Sequence, residues 1–440
     1  MLLLCFAFPM QVISSSPLPA LLPYLVLCSV FFFTRLQNPY SFQLCWNARK
    51  TIMFFITTYL ALVFFQTGWQ TAFGVITLDE GISAIVNFVL PVAFYVYFRS
   101  IASEQEFQAA LIAIIVAGLV VGVFFVYDSY SMMVLKEVSN YSLKALEYIE
   151  LRAPNQEEVN LARVSIGYRS HGLLEKHAVS AGWIVQSCFA ALTLLPKRKS
   201  KIRVTVILLY GMMLLIALNF TAMLGFIFVI ILIEFKGYKL FFGIISKQFL
   251  NLLALIFAGF ILIILTLFIL PNSIGIDTFT EIYRLLDVQT QILTGSVNTN
   301  GDYTYVGGLI NSFITLPFSM VDFPLGILIG MGFSTFSHEY GGDYGIVDNI
   351  TRLGFPFFLA ILIGLSRIIM RAMKKIDGIT LHSYSEVNYL WFAITMTIYM
   401  IFADLHYSIL VTKSLMPIFF LNLAIFDRYL YQQSYKKWDV

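Results

Sequence analysis

Three arginines in polar stretches of the chain are the residues best suited to chemistry on a phosphorylated group. Arg163, Arg169 and Arg284 lie in segments that separate long apolar runs. A guanidinium presents its N–H groups as a rigid fork that matches two oxygens of a phosphate. The alternative is a surface ion pair with an acid nearby in sequence, such as Glu157 or Glu281. The residue types therefore allow an anion-binding site or a set of ion pairs.

The elements that must position these arginines are those of a membrane protein. Of 440 residues, 59% are hydrophobic and only 12% are charged, against about 25% charged in a soluble protein. The apolar residues fall in many long blocks, which excludes both a disordered chain and a soluble enzyme with a single anchor. The net charge of +3 is too small for a nucleic-acid partner. We predict one all-α, polytopic integral membrane domain over residues 1–440.

Charge-free apolar runs predict about twelve transmembrane helices. The predicted spans are 1–13, 20–34, 51–68, 83–98, 107–127, 179–195, 203–218, 220–235, 249–270, 351–366, 387–403 and 408–426. Two segments between spans, 128–178 and 271–350, are too long for turns and are predicted to carry function. Inside the second, the apolar stretch 309–333 contains two prolines and Asp322. We interpret it as a re-entrant or interfacial segment.

The distribution of Lys and Arg predicts the orientation, because cytoplasmic loops carry the excess of basic residues. Placing the basic run 197–203 inside puts most of the 28 basic residues inside and most of the 25 acidic residues outside. Counting 309–333 as a span would move the basic residues of 367–375 outside, which is why it is not counted. Both termini are then cytoplasmic, and both long loops face outside.

Two smaller predictions concern the outer ends of the spans. Residues 142–152 alternate apolar and charged side chains in a pattern typical of an amphipathic surface helix. Asp404 and His406 fall in the short turn between the last two spans, where we expect solvated side chains in preference to a cavity lining.

Metal and nucleotide chemistry have no support in the sequence. The histidines are scattered, no cysteine lies near them, and His171 and His177 lack the i, i+4 spacing of a helical zinc pair. The chain has no P-loop, no dinucleotide fingerprint and no nucleophile elbow. We therefore expect neither a metal nor a cofactor.

Three patches resemble segments of the O-antigen polymerase and ligase superfamily. Residues 163–178 resemble its Arg-then-Gly segment, which runs straight into a span. Residues 324–332, followed by Asp348 and Gly354, resemble the Gly-rich end of its second large periplasmic loop. Arg284 and Gly295, in the third patch, have the R-x10-G spacing of the polymerase branch. The architecture resembles the family over the whole chain.

The resemblance implies a GT-C-like fold in the bacterial inner membrane, with both large loops in the periplasm. It implies an inverting, metal-independent glycosyl transfer that polymerises oligosaccharide repeat units into O-antigen or capsule. The donor would be a glycan on undecaprenyl pyrophosphate, and the acceptor a sugar hydroxyl of another lipid-linked repeat unit. Besides the lipid bilayer, a chain-length regulator protein is a candidate partner.

The resemblance also assigns roles to residues. The candidates for a cationic clamp on the departing pyrophosphate, in order of preference, are Arg284, Arg169, Arg163 and Arg352. For the base that accepts the hydroxyl proton it favours Asp348, with His338 as the rival. The alternatives are a helix cap for Asp348 and an exposed loop histidine for His338. The candidates for sugar contact are His171, His177, Tyr303, Tyr305 and Tyr340, although aromatic residues are also common at membrane interfaces.

Two other functions remain open. An O-antigen ligase would share donor and chemistry but would move finished glycan onto a lipid core; the spacing of Arg284 and Gly295 favours the polymerase. A flippase or secondary transporter is disfavoured because nearly every predicted span lacks ionisable residues, Lys413 being the main exception.

Overall fold

The computed structural model is all-helical in the part of the chain that it describes. It describes residues 2–14, 18–37, 50–100, 103–131, 137–150, 172–174, 177–195, 200–216, 220–234, 329–332, 345–378, 384–404 and 415–431. In chain order the helices of these ranges are α1 (Leu2–Ser14), α2 (Leu18–Gln37), α3 (Lys50–Ala72), α4 (Leu78–Val89), α5 (Val92–Ser100), α6 (Glu104–Tyr130), α7 (Asn140–Glu150), α8 (His177–Leu194), α9 (Ser200–Ile216), α10 (Phe220–Glu234), α11 (Gly345–Leu353), α12 (Phe355–Gly378), α13 (Tyr384–Ala403) and α14 (Met416–Tyr431).

Every predicted span except 249–270, which lies outside the described residues, overlaps one of these helices. Within the described ranges, four helical stretches are long and apolar enough to cross a membrane: Ile52–Ala72, Leu78–Arg99, Glu104–Tyr130 and Phe355–Ile376. Several shorter helices are also apolar, including Ala178–Leu194 and Val387–Ala403. The protein therefore has the helices of a membrane protein, while the number of spans stays a prediction.

One helix extends beyond residue 366, at which its span is predicted to end. Helix α12 continues to Gly378, past Arg367, Arg371 and Lys374, whose side chains are exposed. Charged residues end an apolar run in sequence but do not end a helix, because a long cationic side chain can extend along the surface towards water.

Local signals explain where other helices begin and break. Thr77 starts α4 with a capping box, in which its side chain accepts from the backbone N–H of Glu80 and Glu80 accepts from the backbone of Thr77. Ser103 and Glu106 form the same arrangement at the start of α6. Pro91, which has no N–H to donate, separates α4 from α5.

The core lies where α6 packs closely against α8. A Cβ on Gly118 of α6 would lie 2.2 Å from the Cβ of Ser187 on α8, so only glycine permits this approach. The Ser187 hydroxyl donates to the carbonyl of Ile115 at 2.9 Å and lies 2.5 Å from the hydroxyl of Tyr210 on α9. Helix α13 packs against α8, and α14 packs against α13 and α5.

Basic side chains gather at one end of the bundle, which we call the Arg99 end. Arg99 Nε lies 2.6 Å from Asp427 Oδ2, and both side chains are almost fully buried. The Arg428 guanidinium lies 5.1 Å from the ring centroid of Phe107, and Lys375 donates to the carbonyl of Tyr429. With the amino terminus inside, the predicted topology puts all three inside, because Arg99, Lys375 and Arg428 follow the fourth, tenth and twelfth predicted spans.

Three buried acids lie at the opposite end, which we call the Asp348 end. At 1.5 Å per residue, Asp128 lies about 30 Å along α6 from Phe107, which contacts Arg428 at the Arg99 end. Asp404 follows the last residue of α13, and Asp348 lies on α11. Arg99, Lys375 and Arg428 thus lie at one end and the three buried acids at the other, and the orientation of the chain in a membrane stays a prediction.

Candidate functional site

Only part of the predicted site belongs to the described residues. Asp348 and Arg352 lie on α11, and His177 is the first residue of α8. The other predicted site residues lie outside the described ranges: Arg163, Arg169, His171, Arg284, Tyr303, Tyr305, His338 and Tyr340. Their roles stay predictions.

Asp348 and Arg352 form an ion pair one turn apart on α11. Arg352 Nε donates to both carboxylate oxygens of Asp348, at 2.9 Å each. The Asp348 side chain is 2% exposed and that of Arg352 is 13% exposed. Asp348 lies three residues after the first residue of α11, so the alternative that it caps a helix was wrong. The favoured candidate for the base and the last-ranked candidate for the clamp are therefore in direct contact.

The Arg352 guanidinium keeps one edge available. Its Nε contacts Asp348, and no other described residue hydrogen-bonds to its two Nη groups. Two Nη groups carry four N–H donors in one plane. Arg352 can therefore bind an anion on the Nη edge while Asp348 holds the Nε edge.

A short segment, residues 329–332, lies against the last turn of α11; we call it the strap. Met331 N–H donates to the carbonyl of Thr351 at 2.6 Å, and Gly332 N–H donates to that of Arg352 at 3.1 Å. The carbonyls of a last helical turn have no partner within the helix, so the strap satisfies them. The strap lies near the end of the predicted re-entrant segment 309–333. Residues 309–328 and residue 333 of that segment lie outside the described ranges.

Glycine is required at two positions of this arrangement. Gly330 has a φ of +77°, and a Cβ there would lie 2.2 Å from the carbonyl oxygen of Arg352. Gly354 has a φ of +80° and ends α11, its N–H donating to the carbonyl of Ile350 at 2.8 Å. Both glycines belong to the second patch that resembles the superfamily. The described parts of that patch, 329–332 and 345–354, lie together around Asp348 and Arg352.

Two glutamines of α3 complete the site, and the sequence analysis missed them. Gln66 Nε2 donates to the carbonyls of Ile329, at 2.5 Å, and Arg352, at 3.1 Å. Gln70 Nε2 donates to the carbonyl of Met331. Both glutamine side chains are fully buried. The available signal was two amides with i, i+4 spacing inside an apolar run, because buried polar groups in membrane helices are commonly functional.

Asp404 is also part of this end, and the expectation that its side chain is solvated was wrong, while His406 lies outside the described residues. The Asp404 side chain is 2% exposed, and its Oδ2 accepts from Asn349 Nδ2 at 2.8 Å. Asn349 follows Asp348 directly and is fully buried. The last turn of α13 ends beside α11, so this carboxylate is covered by protein.

The described part of the first long loop packs near the ends of α6 and α8. The helix predicted over 142–152 is present as α7, in which Ser142 is buried and Leu143 is 45% exposed. Its placement on a membrane surface stays a prediction. The Ser142 hydroxyl lies 3.0 Å from both carboxylate oxygens of buried Asp128. Tyr141 donates to the carbonyl of Leu173 at 2.7 Å, next to Gly172, whose φ is +79°.

These features define a class of protein: a helical protein whose described residues include four helical stretches long and apolar enough to cross a membrane, with a polar, partly buried site where α3, α11, α13 and the strap meet. No protein-family model matches the chain, and no curated protein matches it.

Proposed function

We propose that the protein is a membrane glycosyltransferase that polymerises undecaprenyl-pyrophosphate-linked oligosaccharide repeat units into O-antigen or capsule. The observation that carries this proposal is the ion pair of Asp348 and Arg352 beside Gly330 and Gly354. A base and a cationic clamp are the two groups that an inverting, metal-independent transfer needs. Here they are in contact, within the patch that resembles the superfamily.

In the proposed reaction the bond between the anomeric carbon and the pyrophosphate oxygen breaks. The hydroxyl oxygen of the acceptor sugar attacks from the opposite face, which inverts the configuration at that carbon. The hydroxyl proton passes to Asp348, and undecaprenyl pyrophosphate leaves with the negative charge of the broken bond. Arg352 stabilises that charge through its Nη edge, together with Arg284, Arg169 and Arg163 from the long loops.

The ion pair suits a base that is released by the donor. Without substrate, Arg352 holds the Asp348 carboxylate through two contacts of 2.9 Å. A bound pyrophosphate competes for the same guanidinium, which weakens its hold on the carboxylate. Asp348 then accepts the hydroxyl proton only when the donor is in place.

The proposal includes a location and a topology. The site faces the periplasm of the bacterial inner membrane, both termini are cytoplasmic, and about twelve spans form a GT-C-like arrangement. The support is the sorting of charge, since Arg99, Lys375 and Arg428 lie at the end opposite to Asp348 and Asp404.

The test is deletion of the gene in its native strain, followed by gel analysis of the surface polysaccharide. The deletion is complemented with the wild type, Asp348→Ala, Arg284→Ala and, as a control, Asp79→Ala, all at matched protein levels. Asp79 is an exposed acid in the first turn of α4, far from the strap in sequence. We expect core with a single repeat unit from the deletion and from the first two variants, and a normal ladder from the control.

Other outcomes separate the competing functions. Bare core with long chains on undecaprenyl pyrophosphate means a ligase. Bare core with single repeats trapped on the cytoplasmic face means a flippase. An unchanged ladder in the deletion strain excludes a role in this glycan.

A further inference from the structure

The amides of Gln66 and Gln70 connect three elements that are distant in sequence. They project from α3 to the strap and, through Gln66, to the last turn of α11. A buried amide is costly unless it is hydrogen-bonded, and more so in an apolar helix. Here each Nε2 donates to a backbone carbonyl outside its own helix.

The contacts determine which way the Gln66 amide points. Its Nε2 faces two carbonyl oxygens, those of Ile329 and Arg352. Rotating the amide by half a turn would set Oε1 against both oxygens, which repel it. The donor orientation is therefore assigned by the hydrogen-bond partners.

This arrangement restrains the residue that carries the clamp. The carbonyl of Arg352 accepts from two donors, Gln66 Nε2 and the N–H of Gly332. The carbonyl of Thr351, one residue earlier, accepts from Met331 N–H. The last turn of α11 is thus held on both sides, and the direction in which the Arg352 side chain leaves the backbone follows from it.

We propose that Gln66 and Gln70 are positioning residues of the glycosyl-transfer site, which hold the strap against α11 and so direct Arg352 towards the donor pyrophosphate. The activity part of this inference rests on the proposed function; the structural part does not. A displacement of about 1 Å in a group that acts on the transition state lowers the rate by roughly 100-fold. A clamp that loses its restraint should therefore lose turnover more than substrate binding.

The activity test uses the full-length protein in proteoliposomes with an undecaprenyl-pyrophosphate-linked oligosaccharide. Gln66→Glu keeps the shape but sets a carboxylate against two carbonyls, and Gln66→Met removes the donor. The matched control is Gln186→Met, because Gln186 of α8 is equally buried and no described residue hydrogen-bonds to its amide. We expect kcat to fall roughly tenfold or more in both Gln66 variants, with KM for the donor little changed, and no loss in the control.

The structural test is hydrogen exchange at the strap, which needs no activity. We expect the amides of Met331 and Gly332 to exchange faster in the Gln66 variants, while α13 and α14 keep their protection. Gln70→Met should give the same pattern and replaces the Gln66 variants if these do not accumulate.

The outcomes separate the two proposals. The positioning role is overturned if the Gln66 variants show wild-type hydrogen exchange at the strap and turn over as fast as the Gln186→Met control. If the wild-type protein shows no polymerising activity, the proposed function is overturned. Hydrogen exchange at Met331 and Gly332 then tests by itself whether the two glutamines hold the strap.

Discussion

The ion pair on α11 leads to a prediction that separates a catalytic role from a structural one. The variant replaces both charges with apolar side chains of similar size, as Asp348→Leu with Arg352→Met. If the pair only stabilises the fold, the double variant should be folded and active. If the pair performs chemistry, it should be folded and inactive.

The exposures of the two side chains set the expected stabilities. The Asp348 side chain is 2% exposed, so Arg352→Met alone leaves a buried carboxylate without its cation and costs about 3–5 kcal/mol. Arg352 is 13% exposed, so Asp348→Leu alone leaves a guanidinium that reaches some solvent and costs about 1.5–3 kcal/mol. Removing both charges together is about neutral. We therefore expect the wild type and the double variant to be equally stable, Asp348→Leu to be less stable, and Arg352→Met to be the least stable.

The assay pairs thermal unfolding of the purified protein with polymer formation in proteoliposomes. We expect the double variant to unfold near the wild-type temperature yet to polymerise at least about 100-fold more slowly, because loss of a general base alone removes that much. Activity near the wild-type level in a folded double variant would refute the assignment of both residues. A double variant less stable than either single variant would refute the ion-pair reasoning.

Two further predictions concern the fold around the site and at the opposite end. Gly330→Ala should destabilise the protein by about 1–3 kcal/mol, because the φ of Gly330 is +77° and a Cβ there would lie 2.2 Å from the carbonyl oxygen of Arg352. The control is Gly364→Ala in α12, where a Cβ would have no atom within 4 Å, so this variant should be as stable as the wild type or more stable. Thermal unfolding of the two variants checks this difference. Asp427→Ala should cost about 3–5 kcal/mol because it leaves buried Arg99 unpaired, and adding Arg99→Met should restore most of the loss. Equal stabilities of Asp427→Ala and the wild type would contradict that prediction.

Much of the helical framework was accessible from sequence. Predicted spans overlapped the described helices because a charge-free apolar run long enough to cross a bilayer rarely adopts another structure. The Thr77 to Glu80 spacing is a readable start signal, and the helix over 142–152 was found from its periodicity. The end of α12 was missed because charge was used as a stop signal.

The candidate site was accessible only in part. Asp348, Arg352 and the glycines near them were named through a resemblance of short patches, and in the structure these residues lie together. Gln66 was missed because 286 residues separate it from Arg352, and the pair of amides that it forms with Gln70 carries no local sign of its partners. Asp404 was misjudged for the same reason.

The sequence by itself determined the all-helical class and most helix positions in the described ranges, and it predicts the side of the membrane on which each charge lies. These follow from hydrophobic length and from charge, which are properties of a single segment. Only the tertiary structure decided that Asp348 pairs with Arg352, that Asn349 covers Asp404, and that α3 holds the strap. The burial of a side chain and its hydrogen-bond partners depend on neighbouring residues in space. Here those neighbours come from segments that are far apart in sequence, and a hydropathy profile evaluates each segment separately.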